Sequence, residues 1–366
     1  MKDFIKIILI LLFFLCYMGR SRFIENFGNY KATCKNVPSL LKQVLKEREL
    51  IRNDKSFQFF IPCSYNTCEK TMKVMENKAK GIKYYMVDNC DWVNSKARLW
   101  TLLKIEHGIK NATKYMPRTY LLDRKEDMNN FFKDYKKKIK KDKNIMYILK
   151  NNRQRQKGLK ITNKDTDIKN GVKDGFVIVQ EMYKNPFLVN GRKINFRYYL
   201  LVVCDNNKIS GYIYNDGFCY YTPKKFKKGS LEFNRNITTG YIDRKVYEKN
   251  PLTLCDFRDH LEKKEKGLSK LWDKRVEKLM KNTIKALEIK ICTNKKYEKN
   301  ILFQLFGADV APNSSLYPKL MEINKGPDLG AKDERDKQVK LNLQRDIFKL
   351  VDPMPDEEPG KFTKIF

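Results

Sequence analysis

Near the carboxyl end of this 366-residue sequence, two apolar runs carry polar groups that a strand does not need. ILFQLFGADV (301–310) holds Asp309, and LYPKLMEINK (316–325) holds Glu322 and, two residues on, Asn324, before Gly326-Pro327 stops the run. If APNSSLYP is the loop of a hairpin centred near 315 to 316, opposed residues have numbers of constant sum, so Asp309 faces Glu322. Asn324 shares the face of Glu322, and its opposite number is Gly307, which has no side chain to block a ligand. Two carboxylates this close repel unless a cation or a shared proton relieves them. Carboxylate and amide oxygens without His or Cys suit a hard ion, Mg²⁺ or Mn²⁺, completed by substrate phosphates. The plain alternative is a salt-bridged pair facing neighbouring lysines.

A second group points to phosphate. In RKINFRYYL, alternation puts Lys193, Asn195 and Arg197 on one face and Ile194, Phe196 and Tyr198 on the other. A row of cations on a central strand is costly unless it meets anions. Lys150 ends the apolar strand MYILK (146–150) just before NNRQRQKG (151–158), a polar loop closed by Gly158.

The elements that must position these groups are legible in outline. SKARLWTLLKIEHGI (95–109) and EDMNNFFKDYKKKIKK (126–141) read as helices around an extended MPRTYLLD (116–123). From 175 onward strands dominate: FVIVQEM (176–182), a turn at NPFLVNG (185–191), then the long RKINFRYYLLVVC (192–204). DNNK (205–208) turns into ISGYIY (209–214), and NDG (215–217) reads as another turn before FCYY. KGLSKLWDKRVEKLMKNTIKALEI (266–289) carries the apolar stripe of an amphipathic helix.

The 76 Lys and Arg against 43 Asp and Glu give a net charge of +33, which attracts something acidic. The lysine run KDYKKKIKKDKN (133–144) lacks the interleaved aromatics of a single-strand nucleic-acid groove, so nucleic acid rests on charge alone and is set aside. The nine cysteines are scattered without a C-x-x-C pair and read as free thiols in a reducing compartment; with two histidines, His107 and His260, a structural zinc is not expected. The apolar run IILILLFFLCYM (7–18) is short of the roughly 20 residues that span a bilayer. No small-residue cleavage site follows it, so it reads as an uncleaved membrane anchor with a cytosolic body. A luminal body, for which Asn111, Asn236 and Asn313 would be glycosylation sequons, stays open.

Taken in order, SKARLW, MPRTYLLD, YILK with RQKG, VQEMYKNPFLVNGRKINFRYYLLV, GYIYNDGFCYYTPKKF, NITTGYID, LFQLFGADV and LMEINKGPDL resemble the tubulin-tyrosine ligase-like family over roughly residues 95 to 330. The resemblance implies an α/β (α+β) ATP-grasp fold of antiparallel sheets with flanking helices. The chain then divides into a hydrophobic segment (1–25), a small N-terminal α/β lobe (26–92), the ATP-grasp core (93–335) and a C-terminal helix and polar tail (336–366). It implies ATP and Mg²⁺ or Mn²⁺ as cofactors. Lys150 matches the phosphate-contacting lysine, and Arg155, Lys157 and Gly158 the loop over the phosphates. Gln180, Glu181, Met182 and Tyr183 match the adenine segment, and Thr238 falls in a further nucleotide-side motif. Lys193 and Arg197 face the nucleotide phosphates and the reacting acyl phosphate as catalytic residues; Asp309, Glu322 and Asn324 match the metal ligands.

The implied reaction phosphorylates a carboxylate of an acidic protein acceptor, a tubulin tail first among them, and joins to it the amine of a free amino acid, glutamate as the first expectation (polyglutamylation). The sequence departs from the family pattern at Asn195, where an Asp is usual; at Thr239, where an Asn is usual; at Gln156, where a Gly is common; and at Glu181, where a basic residue is usual. These departures define the alternative: a membrane-tethered, ATP-binding pseudoenzyme that docks acidic tails without ligation.

Overall fold

The computed structural model describes residues 28–64, 70–72, 80–142, 144–152 and 158–366. The apolar N-terminal run, Cys68, Arg155, Gln156 and Lys157 lie outside the described residues. Among the described residues no helix is long and apolar enough to cross a membrane.

Among the described residues fourteen strands in two sheets are flanked by helices, a mixed α/β architecture. The strands are β1 Asn29–Ala32, β2 Ile51–Arg52, β3 Phe59–Ile61, β4 Lys83–Tyr84, β5 Thr119–Leu121, β6 Tyr147–Lys150, β7 Leu159–Thr162, β8 Ile178–Glu181, β9 Leu188–Val189, β10 Arg192–Asp205, β11 Lys208–Tyr221, β12 Ile301–Pro312, β13 Pro318–Asn324 and β14 Phe362–Lys364. The helices are α1 Ser39–Glu47, α2 Cys90–Asn94, α3 Lys96–Tyr115, α4 Lys125–Lys141, α5 Asp165–Lys169, α6 Phe233–Asn236, α7 Leu254–Lys264, α8 Leu268–Leu287 and α9 Glu334–Val351.

The larger sheet runs β14-β11-β10-β12-β4-β3-β1-β2, with β13 also on β12 and β9 on β10. The strands from the first ninety residues therefore continue the sheet of the C-terminal half: β4 pairs parallel to β12 and β3 parallel to β4. Pairing is parallel in that part and antiparallel from β10 to β14. The smaller sheet, β5-β8-β6-β7, is antiparallel throughout.

The helices start where the sequence supplies caps. Ser95 caps α3, and Thr253 with Asp256 forms a reciprocal capping box on α7. The apolar stripe of α8, including Trp272, Val276, Leu279 and Ile284, packs in one core with Phe196, Tyr198 and Leu200 from one face of β10. The opposite face of β10, with Tyr199 and Leu201, packs in a second core with Phe348 of α9.

Two expectations are corrected. NDG (215–217) does not turn; β11 continues through it. Tyr198 pairs with Gly217 and Leu200 with Ile213, so β11 carries extra residues opposite β10 and bulges. A glycine is required there, because a Cβ on Gly217 would lie 2.2 Å from the Arg197 carbonyl oxygen. The cysteines are not all free: Cys34–Cys63 and Cys204–Cys292 are disulfides, while Cys90, Cys219 and Cys255 are thiols. The pairing is tertiary: β1 and β3 are parallel neighbours that bring Cys34 and Cys63 together from 29 residues apart, and no sequence spacing marks it.

Candidate active site

The two sheets enclose a cavity of about 710 Å³ whose walls hold almost every polar residue singled out above. Its centre is a row across three strands. Arg197 on β10 pairs with Asp309 on β12, and Asp309 pairs with Glu322 on β13. Asn324 lies opposite Gly307, as the constant-sum argument requires. The loop end of the hairpin pairs Pro312 with Pro318 and Val310 with Leu320, a register one residue away from the Asp309–Glu322 pairing. Met321 is the inserted residue. Without this bulge Glu322 would point to the opposite side of the sheet.

Arg197 grips Asp309 with two hydrogen bonds, Nε to Oδ1 at 2.6 Å and Nη2 to Oδ2 at 3.1 Å, and its guanidinium lies over the Tyr220 ring. Gly307 makes the room: a Cβ there would meet the Arg197 side chain at 3.0 Å. Burial and then the Glu322 charge push the Asp309 carboxyl above its ordinary range, against the pull of Arg197. Burial also opposes ionisation of Glu322, but Lys96, Lys150 and Arg197 outweigh it and hold this carboxyl low. One acid is thus driven toward its neutral form beside an ionised one, the condition that a cation would relieve. Among the described residues no three of His, Cys, Asp and Glu gather together. The acid count at the site therefore stops at two, with the Asn324 amide oxygen beside them. Two carboxylates and an amide fit a hard divalent ion whose remaining positions are filled by phosphate and water oxygens.

Lys150 and Lys193 stand on other walls of the cavity, each 7% exposed. The Lys150 ammonium group makes no hydrogen bond or ion pair among the described residues. Lys193 donates to Asn236 Oδ1 at 2.8 Å and lies over the Phe226 ring. Burial lowers both ammonium groups to about 8. Two buried, nearly unpartnered cations facing one cavity make a receptor for an anion.

The expected adenine segment is brought to the same cavity. Gln180 is fully enclosed, donates to Thr119 Oγ1 at 2.8 Å and sits between β5 and β6 in the smaller sheet. Glu181, Met182, Tyr183 and Thr238 line the wall. The Glu181 carboxylate is neutralised by Lys138 of α4, which accounts for an acid where a base is usual. Gly158 is at φ +76°, and a Cβ would collide with Asn151, so it closes the loop as expected; Arg155 and Lys157 lie outside the described residues. Asn195 also lines the cavity.

Among the wall residues that sequence reasoning missed are Lys96, Asn236, Tyr220, Tyr241, Asp328 and Lys332. Asn236, read as a sequon, is buried and spends its amide on Lys193 and on the Ser230 and Glu232 carbonyls. Lys96 was within view, in SKARLW, but nothing local tells that α3 points it at β13.

A model of the tubulin-tyrosine ligase family matches residues 72–360. The chain is similar to a probable beta-tubulin polyglutamylase of Tetrahymena thermophila, 24% identical over 273 residues, covering 68% of this chain and 22% of that protein. It is also similar to a probable tubulin polyglutamylase of Rattus norvegicus, 28% identical over 187 residues, or 48% of this chain and 38% of that one. A tubulin polyglutamylase of Mus musculus is 25% identical over 276 residues, 68% of this chain and 29% of its own length. The chain thus spans between about a fifth and two fifths of these relatives.

Proposed function

Because this chain belongs to the tubulin-tyrosine ligase family, matched over residues 72–360, we propose that it is an ATP- and Mg²⁺-dependent ligase of the ATP-grasp kind that joins an amino acid to a carboxylate of an acidic protein acceptor. The observation that carries this reading is the three-strand row Arg197–Asp309–Glu322 in one cavity with Lys150 and Lys193. It combines a cation-binding acid pair with phosphate-binding cations. Such a site suits phosphoryl transfer between two substrates, where the protein's work is positioning and charge neutralisation.

In this reading Asp309, Glu322 and Asn324 hold the divalent ion, which supplies charge neutralisation to the nucleotide phosphates when bound. Lys150 and Lys193 bind phosphate oxygens, and their ammonium groups gain charge stability as the anion arrives. A carboxylate oxygen of the acceptor attacks the γ-phosphorus and ADP leaves, giving an acyl phosphate. The amine of the incoming amino acid then attacks the acyl carbon, inorganic phosphate leaves and the amine sheds a proton. Arg197, fixed by Asp309, faces the negative charge that develops at the transferring group. Relatives named as tubulin polyglutamylases favour a tubulin tail as acceptor and glutamate as the added residue. The net charge of +33 supports an acidic acceptor through long-range steering.

The test is incubation of the full chain with ATP, Mg²⁺, tubulin and radiolabelled glutamate, glycine or tyrosine in parallel. Incorporation that disappears in Glu322→Gln supports the ligase. Asn195 on the cavity wall, where the family pattern has an acid, favours a second reading: a nucleotide binder that does not ligate. Nucleotide binding without incorporation of any amino acid would select that reading, and gain of incorporation in Asn195→Asp would identify the missing group.

A further inference from the structure

A third cation faces the acid pair, from outside the sheets. Lys96, the first residue of α3, is 6% exposed, and its Nζ lies 3.6 Å from Glu322 Oε2. That separation is an ion pair too long for a hydrogen bond. Lys96 makes no hydrogen bond among the described residues, so its three donors remain unspent while its side chain lines the cavity. Burying an ammonium group with unused donors is costly, and a surface position one helical turn away would avoid the cost.

The charges at the acid pair are divided. Arg197 is bonded to Asp309 and spends its donors there, whereas Lys96 stands loosely off Glu322. A second link ties the same region to β13: Asp91 of α2 pairs with Lys325, which does not line the cavity. The α2–α3 corner is therefore already anchored by a pair facing away from the site, and Lys96 is not needed for that purpose.

Resting on the reading that a metal–nucleotide complex occupies this cavity, we propose that Lys96 is a place-holding counter-ion and positioning residue. It holds the Glu322 carboxylate in place while the site is free of metal, gives up that carboxylate when the divalent ion arrives with the nucleotide, and then turns its unspent donors to the phosphates. The two roles have opposite signs for two ligands. Toward the bare ion Lys96 competes; toward the ion–nucleotide complex it assists.

The full chain is titrated with Mn²⁺ alone, followed by electron paramagnetic resonance, and separately with the non-hydrolysable ATP analogue AMP-PNP in the presence of Mg²⁺, followed by calorimetry. In Lys96→Gln, Mn²⁺ alone binds as tightly as in the wild type or more tightly. Mg–AMP-PNP binds roughly tenfold more weakly, the size of one lost charge-assisted hydrogen bond. Lys96→Arg recovers the nucleotide affinity to within about threefold, since it restores the charge and donors. Lys325→Met serves as the structural control and lowers thermal stability without splitting the two affinities.

Equal losses in both titrations, or a Lys96→Gln profile matching Lys325→Met, would overturn the proposal. If the wild type binds Mn²⁺ but no nucleotide, the ligase reading fails, and the place-holder proposal falls with it. If the wild type binds both and Lys96→Gln binds both equally well, only the place-holder fails.

Discussion

Arg197→Met removes the one cation bonded to Asp309, and the site's geometry sets how much that should cost. The guanidinium and the carboxylate are both largely enclosed, at 13% and 15% side-chain exposure, and meet through two hydrogen bonds. At an effective dielectric near 20, opposite unit charges about 4 Å apart attract by about 4 kcal/mol. Breaking one partner out of a buried pair costs about 3–5 kcal/mol in general. Here the loss has a ceiling, because Asp309 can escape by taking a proton. From an ordinary carboxyl value of 3.8, neutralising it costs about 4.4 kcal/mol at pH 7 and only about 1.6 kcal/mol at pH 5. Asp309 already sits above its ordinary range in the wild type, so these figures are ceilings on the difference.

A folded-state carboxyl pKa raised further by the mutation means that the folded variant holds a proton which the unfolded chain has released. The variant therefore loses stability relative to the wild type as pH rises from about 4 toward neutrality. With about 2.1 cal/mol/K of unfolding entropy per residue over 366 residues, the ceilings of about 4.4 and about 1.6 kcal/mol correspond to about 6 °C and about 2 °C in Tm. Differential scanning fluorimetry of both proteins should show a gap of up to about 6 °C at pH 7 that shrinks to no more than about 2 °C at pH 5. An equal gap at both pH values, or none at pH 7, would refute the picture of a carboxylate pair restrained by one guanidinium.

Lys150 and Lys193, lowered by burial to about 8 from 10.5, bind fewer protons in the folded state than in the unfolded chain between those values. Stability of the ligand-free protein should therefore rise with pH from about 8 to about 10.5, while AMP-PNP affinity falls across the same window; parallel trends in a melting and binding series would contradict this. Deleting Met321 removes the bulge and leaves Leu320 opposite Val310 and Glu322 opposite Asp309 in one regular register. Mn²⁺ binding should therefore survive in a folded variant, and its loss would show that the bulge itself, beyond the Asp309–Glu322 pairing, sets the site. The Cys204–Cys292 disulfide closes 88 residues, for which chain entropy gives about 4.5 kcal/mol. Cys204→Ala with Cys292→Ala should lower Tm by about 6 °C, and wild-type mass under non-reducing alkylation should show both disulfides closed.

The site was more legible than the frame because its pairings are local. Asp309 and Glu322 sit on a hairpin whose loop can be seen in the sequence, and strand alternation alone puts Lys193, Asn195 and Arg197 on one face. What the sequence hid depends on distances along the chain that no period encodes. Parallel pairing of β4 with β12 joins residues 83 and 301, which makes β1 to β4 part of the sheet that carries the site. Cys204 meets Cys292 across a stretch of chain that holds both α7 and α8. Even the correct register hides a coincidence: a loop centre of 315 to 316 covers both the hairpin's closing pairs and the displaced Asp309–Glu322 pair, and the bulge at Met321 carries the chain from one to the other. The bulge, rather than the loop centre alone, therefore sets Glu322 opposite Asp309. Lys96 is hidden in the same way: its type is ordinary for a helix start, and only the docking of α3 against β13 turns a common surface lysine into a buried charge beside Glu322.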